Sequence, residues 1–124
     1  MYQIKRMRYE ALPTEEGNLQ RAIIRGVAIY AEGDELEQLK DQLLQAAEEE
    51  NQWSPQLGFD LTPTGDEIPF SIEADKDGFR GLLGGKTLEE HDPLVDFIVW
   101  MIENLSPPGT TQLVILDGKV YCGS

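Results

Sequence analysis

A glycine-rich segment, Gly81–Thr87, contains the residue types of a phosphate-binding loop. Such a loop surrounds a phosphate with backbone N–H groups and would require glycine at position 80, where the chain has Arg80. Gly81 comes one residue too late, which shortens the ring of N–H donors. We therefore interpret the segment as a turn before a helix that Thr87 begins. A small ligand-binding protein or enzyme that uses this segment remains an alternative.

Three carboxylates, Glu73, Asp75 and Asp77, have the spacing of the first half of a calcium loop. That loop closes with a bidentate glutamate at its twelfth position, which here is Gly84. His91 is the single histidine, and we see no Ser-His-Asp arrangement around it. These patterns predict no catalytic residue, no metal site and no cofactor.

Charge is the most distinctive bulk property of the chain. Its 23 acidic and 10 basic residues give a net charge of −13, and residues 1–30 are slightly basic while the rest is strongly acidic. Such a surface repels nucleic acids and membranes, which are anionic, and attracts basic proteins. We expect a basic protein partner, no direct binding of nucleic acid and no membrane association. Acidity that serves only solubility is the alternative.

One group of acidic residues falls on the outer face of a predicted helix. At 100° per residue, Asp34, Glu37, Asp41 and Glu48 share a sector of roughly 60°. Like charges four residues apart destabilise a helix by about 0.2–0.5 kcal/mol. We interpret the stripe as a partner-binding surface, with an ordinary solvated helix face as the alternative.

Trp100 is the second candidate for partner binding. On a predicted second helix it lies between Asp96 and Glu103, away from the apolar face. An exposed tryptophan ringed by carboxylates is typical of an interface anchor. The alternative is that a loop around 53–55 covers its ring.

The elements that position these residues follow from periodicity and turn signals. We predict strands at 2–9 and 19–31, a helix from Asp34 to about Glu50, strands at 68–74 and 79–83, a second helix that starts at Thr87 or Asp92, and a hairpin at 113–122 that turns at Asp117-Gly118. Strict alternation places Tyr2 and Ile4 on one face of the first strand and Met7 and Tyr9 on the other. We expect Gly26 to mark a bulge or bend in the second strand. The prediction is a single α+β domain, 1–124, with two helices on a mainly antiparallel sheet in the order ββα-ββα-ββ.

Residues 17–47 resemble the small HicB-type antitoxin domain. In that family two or three strands lead into an acidic-Gly-Asp turn that caps a helix, as Glu32-Gly33-Asp34 would here. The chain lacks the family's ribbon-helix-helix or helix-turn-helix segment after this part. The resemblance implies a domain that neutralises a basic, RNA-cleaving toxin by binding to it.

The first hypothesis is a non-enzymatic acidic module that inhibits a basic nuclease or nucleic-acid-binding complex. An antitoxin, an immunity protein and a phage-encoded anti-defence inhibitor all belong to this class. The second hypothesis is an assembly subunit, such as a homodimer, that oligomerises through the apolar face of the second helix. Because Cys122 is the only cysteine and no secretory signal is visible, we expect a cytoplasmic protein.

Overall fold

The computed structural model describes residues 2–13, 19–30, 36–54, 60–106, 110–116 and 118–123. These residues form an α+β fold of two helices and one sheet of eight strands. The elements are β1 (Tyr2–Pro13), β2 (Leu19–Tyr30), α1 (Leu36–Ala47), β3 (Asn51–Gln52), β4 (Ile68–Asp75), β5 (Gly78–Leu83), β6 (Lys86–Thr87), α2 (Pro93–Leu105), β7 (Gln112–Leu116) and β8 (Lys119–Gly123). None of the helices within these ranges is long and apolar enough to cross a membrane.

The sheet has the strand order β3-β8-β7-β1-β2-β4-β5-β6. All neighbouring strands are antiparallel except β3 and β8, which are parallel. The predicted order is right for the longer elements, but the sheet is larger than expected. The two additional strands, β3 and β6, have two residues each, which is too short for alternation to be visible.

Both helices pack against the same face of the sheet, where alternate residues of the strands form one continuous core. α1 contributes Leu43, and α2 contributes most of the helical part of this core. Burial of these apolar side chains is the main source of stability. The buried strand residues of this core are Ile4, Met7, Tyr9, Ile24, Ala28, Phe70, Ile72, Leu83, Leu113, Ile115 and Val120. We call the opposite side of the sheet the open face.

A β-bulge at Lys5 changes the phase of β1. Ile4 pairs with Ala28 and Arg6 with Val27, so Lys5 has no partner in β2. The prediction that Ile4 and Met7 lie on opposite faces of the strand is therefore wrong, because both lie on the helix-covered face. A bulge places an extra residue in one strand, and the alternation restarts after it.

Gly26 was expected to mark a bulge or bend, and this expectation is wrong. It pairs regularly with Met7 on one side and Phe70 on the other. A Cβ at this position would collide with the carbonyl oxygen of Arg6 and the ring of Phe70. Glycine is needed here because Phe70 packs directly over the backbone.

The start of α2 is set by Asp92, whose Oδ1 accepts a hydrogen bond of 2.9 Å from the N–H of Leu94. Pro93 occupies the first helical position, where a missing N–H is tolerated. The alternative start at Thr87 is wrong, since Thr87 belongs to β6. In α1, Leu43 and Ala47 pack inward, whereas the predicted cap Asp34 lies outside the described residues.

The last hairpin has the register that a two-residue turn at Asp117-Gly118 predicts. Leu116 pairs with Lys119, Ile115 with Val120, and so on to Leu113 with Cys122. The apolar face that this register creates lies in the core, while Asp117 of the turn lies outside the described residues.

Part of the connection between β3 and β4 packs on the open face. The guanidinium of Arg6 donates two hydrogen bonds of 2.9 Å to the carboxylate of Glu67. It also donates to the backbone carbonyl oxygens of Asp60 and Thr62, at 2.9 and 3.3 Å. This bidentate contact holds residues 60–67 against one end of the open face.

Candidate functional site

The acidic residues of the predicted stripe lie on the outside of α1. Glu37 and Asp41 are exposed, and the side chain of Glu37 is 84% accessible. Glu48 is also exposed but lies one residue beyond the end of the helix. Asp34 lies outside the described residues.

Carboxylates also occur where a helix disfavours them. Glu48, Glu49 and Glu50 follow directly after α1 and are exposed. The carboxyl end of a helix carries a partial negative charge, so basic residues are favourable there and acidic ones are not. α1 has no basic residue in its last turn, so its carboxyl end is strongly anionic.

Trp100 lies between the two helices and is half-buried. Its ring stacks on Phe97, with centroids 6.0 Å apart and an interplanar angle of 11°. The ammonium group of Lys40 also lies 5.2 Å from the ring centroid, a cation–π distance. The loop around 53–55 was the alternative cover for this ring. Trp53 instead packs edge-on against Tyr121, with ring centroids 6.1 Å apart.

Lys40 connects the two candidate regions. Its ammonium group lies 3.6 Å from Oε1 of Glu37 as well as over the Trp100 ring. The structure thus brings Glu37 of the predicted stripe close to Trp100. Sequence reasoning did not assign a role to Lys40, although its spacing of three residues from Glu37 is the signal that would have found it.

Asp96 and Glu103 are exposed one turn before and after Trp100 on α2. We call Glu37, Asp41, Glu48, Asp96 and Glu103 the acidic helix surface. Trp100 is half-buried beside it, with Phe97 and Lys40 against its ring. The exposed carboxylates suit recognition of lysine and arginine side chains, which pair with them.

The apolar face of α2 is buried against the chain's own sheet. The residues with exposures of 6% or less are Leu94, Val95, Phe97, Ile98, Met101 and Leu105. Val99 on the same helix is 44% exposed.

The glycine-rich segment forms a tight hairpin between β5 and β6. Gly84 and Gly85 have φ values of +58° and +84°, a conformation that favours glycine. Lys86 and Thr87 then pair back with Leu83 and Leu82. Because no helix follows directly, the segment lacks the helix N-terminus on which a phosphate-binding loop depends.

Two of the carboxylates with calcium-loop spacing, Glu73 and Asp75, bind groups of the chain itself. Oδ1 of Asp75 accepts hydrogen bonds from the N–H groups of Asp77 and Gly78, at 2.8 and 3.0 Å. Glu73 forms an ion pair with Arg21 at 3.1 Å. Among the described residues, no group of three or more His, Cys, Asp or Glu side chains could hold a metal ion.

Cys122 is half-buried, and its Sγ lies 3.6 Å from the carbonyl oxygen of Leu105. Burial raises the pKa of its thiol. The reactive form of cysteine is the thiolate, so this environment favours the unreactive form.

Searches against protein-family models, curated proteins and solved structures gave no match to this chain. The resemblance of residues 17–47 to the HicB-type antitoxin domain therefore remains an expectation from sequence.

Proposed function

We propose that this protein is a small acidic binding module that inhibits or neutralises a basic protein. The partner class is a nuclease or a nucleic-acid-binding complex, and the role is that of an antitoxin, an immunity protein or a phage-encoded anti-defence inhibitor. The resemblance of residues 17–47 to an antitoxin domain supports the same class.

The observation that carries this proposal is the cluster of exposed carboxylates around Trp100. Glu37 reaches this ring through Lys40, and Asp96 and Glu103 flank it on α2. The carboxylates would attract a basic surface from a distance, and the aromatic ring would supply apolar contact once the surfaces meet.

Unfavourable local electrostatics support a role beyond solubility. Glu48, Glu49 and Glu50 directly follow the carboxyl end of α1, whose last turn has no basic residue. Acidic residues at this end reduce helix stability, so their position is consistent with selection for binding.

The test has two steps. The protein is first used as bait at low and high salt in lysate from its native host, and retained basic proteins are identified. Affinity for the purified partner is then compared between the double variant Glu37→Gln/Asp96→Asn and the control Asp66→Asn/Asp77→Asn, which removes the same charge from exposed positions elsewhere.

We expect the first variant to weaken binding at least about tenfold at low salt, because charge-assisted contacts contribute about 1.5–3 kcal/mol. The control should change affinity by less than about twofold, and high salt should reduce the difference. Binding that is independent of salt, or an equal effect of both variants, would contradict the proposal.

A further inference from the structure

Lys40 is the only basic residue within the two helices, Leu36–Ala47 and Pro93–Leu105. A lysine on a helix surface ordinarily lays its apolar stem along the protein and extends its ammonium group into water. Here the carboxylates of the acidic helix surface are exposed, whereas the side chain of Lys40 is only 27% accessible. The one cation of the helix layer is therefore held against the protein while the anions around it face solvent.

Two groups hold the ammonium of Lys40, and they come from different helices. The ring of Trp100 on α2 lies 5.2 Å away, measured to its centroid, and Oε1 of Glu37 on α1 lies 3.6 Å away. An aromatic face and a carboxylate are the groups with which proteins bind cationic side chains. Lys40 thus occupies the place that a cationic side chain of a partner would take at this surface.

The contact of Lys40 is weak enough to be exchanged. The side chain of Glu37 is 84% accessible, so water screens its ion pair with Lys40, and exposed pairs of this kind contribute little. The cation–π contact at a partly exposed site changes an equilibrium constant by about two- to fivefold. Because the lysine stem is flexible, the ammonium group can move into water without a change in the backbone of α1.

An arginine is the side chain that best replaces Lys40 at this position. Its planar guanidinium stacks on an aromatic ring and can donate two parallel hydrogen bonds to one carboxylate, whereas an ammonium group acts as a point charge. A guanidinium is also more weakly hydrated, so less is lost when it leaves water. Glu37 and Asp96 are both exposed to receive it, and the net charge of −13 favours the approach of a cation.

We propose that Lys40 is an internal competitor, which occupies the site between Trp100 and Glu37 in the free protein and is displaced by an arginine of the basic partner. This inference rests on the proposed function and adds to it the side chain that is recognised. While Lys40 lies over the ring, the site is closed to a partner. The measured affinity is therefore lower than the site would give if it were always open, by the fraction of molecules in which the ring is free.

The test uses a short, fluorescein-labelled, arginine-rich peptide, whose binding is measured by anisotropy. The natural chain is compared with Lys40→Met, which keeps the length of the side chain and removes its charge. The matched control is Lys76→Met, which removes the same charge from an exposed position outside both helices. A second readout is the NMR signal of the methylene protons next to the ammonium of Lys40, which the ring current of Trp100 displaces from the position of an exposed lysine.

We expect Lys40→Met to bind the peptide about two- to fivefold more tightly than the natural chain, because the competing contact is gone. Lys76→Met should leave the affinity nearly unchanged, since a distant exposed charge is screened. As the peptide saturates the natural chain, the Lys40 signals should move to the position of an exposed lysine. In a Trp100→Leu background, Lys40→Met should lose its advantage, whereas simple charge repulsion would preserve it.

Four results would overturn the inference: no binding of the peptide to either chain, equal or weaker binding by Lys40→Met, Lys40 signals that stay in place at saturation, or an advantage of Lys40→Met that persists without the ring. The NMR titration needs no substitution, so it decides the question even if Trp100→Leu does not fold. Retention of a basic protein from lysate tests the proposed function separately. If such a partner binds while Lys40 stays over the ring, only the displacement of Lys40 is wrong.

Discussion

The two faces of the sheet are built from the same strands but differ in what they bury and what charge they carry. One face supports a continuous apolar core under both helices, and the carboxylates of those helices point outward. The other has two fully buried valines, Val27 and Val114, among several arginines. On this face the arginines pair with carboxylates: Arg6 with Glu67, Arg8 with Glu10 and Arg21 with Glu73. The net charge of −13 is therefore unevenly distributed over the two sides of the sheet.

The comparison is tested most strongly by two valines on neighbouring strands. Val120 lies in the helix-covered core and Val114 on the open face, with exposures of 2% and 0%. We expect Val120→Ala to lower the free energy of unfolding by about 2–3 kcal/mol and Val114→Ala by about 1–2 kcal/mol. The difference arises because a small covered site can collapse around a cavity more easily than a large core can.

Urea denaturation of both variants measures these values. An equal or larger loss of stability in Val114→Ala would mean that the open face contains a second true core, and the contrast between the faces would fail.

A smaller, local effect concerns the segment that Arg6 holds against the open face. The hydrogen bond from Arg6, followed by that from the N–H of Thr64, lowers the pKa of Glu67 from 4.5 to about 2. A lowered pKa means that the contact stabilises the folded state fully above pH 4.5, the ordinary value. This contribution decreases as the pH falls and is lost as the pH passes about 2.

The amide signal of Thr64, whose N–H donates to Glu67 at 2.9 Å, reports this change by NMR. We expect a transition well below pH 4.5 in the natural chain and none in Glu67→Gln, while Asp66→Asn should retain it. A transition at the ordinary glutamate value would show that Arg6 does not hold this carboxylate.

The smallest effect is expected for the exposed arginines. Arg25 faces Arg8 across the strands, whereas Arg80 faces Glu73. At low salt, Arg80→Gln should therefore lower the free energy of unfolding by about 0.2–1 kcal/mol, and Arg25→Gln should lower it less. Paired urea titrations at low and high salt check this order. A larger loss of stability in Arg25→Gln would show that its charge is satisfied within the chain.

Much of the fold could be predicted from sequence because the longer elements have clear periodicity and are bounded by clear turn and cap residues. The β7–β8 register followed from one turn, and Asp92-Pro93 correctly marked the start of α2. Thr87 was misassigned because a threonine followed by Glu90 also fits a helix start, and only pairing with Leu82 reveals a strand.

The candidate site was predictable only within single elements. Helical spacing correctly placed Asp96 and Glu103 on either side of Trp100, but it could not show that Lys40 from another helix lies over the ring. The open face was missed altogether. Its arginines are spread over β1, β2 and β5, and they share a surface only because of strand order and register. A single sequence contains no direct signal for either.

The bulge at Lys5 also bears on how this chain tolerates changes in length. Since Lys5 has no partner in β2, a chain without it would pair Ile4 and Arg6 with the same neighbours and keep both faces intact. Between Met7 and Tyr9 there is no bulge, so an added residue there would move the side chains on one side of it to the opposite face of the sheet. Insertions and deletions near this strand are therefore unequal in effect. The amino-terminal part of β1 can lose a residue, while its centre is fixed in length by the charges and apolar side chains that it separates.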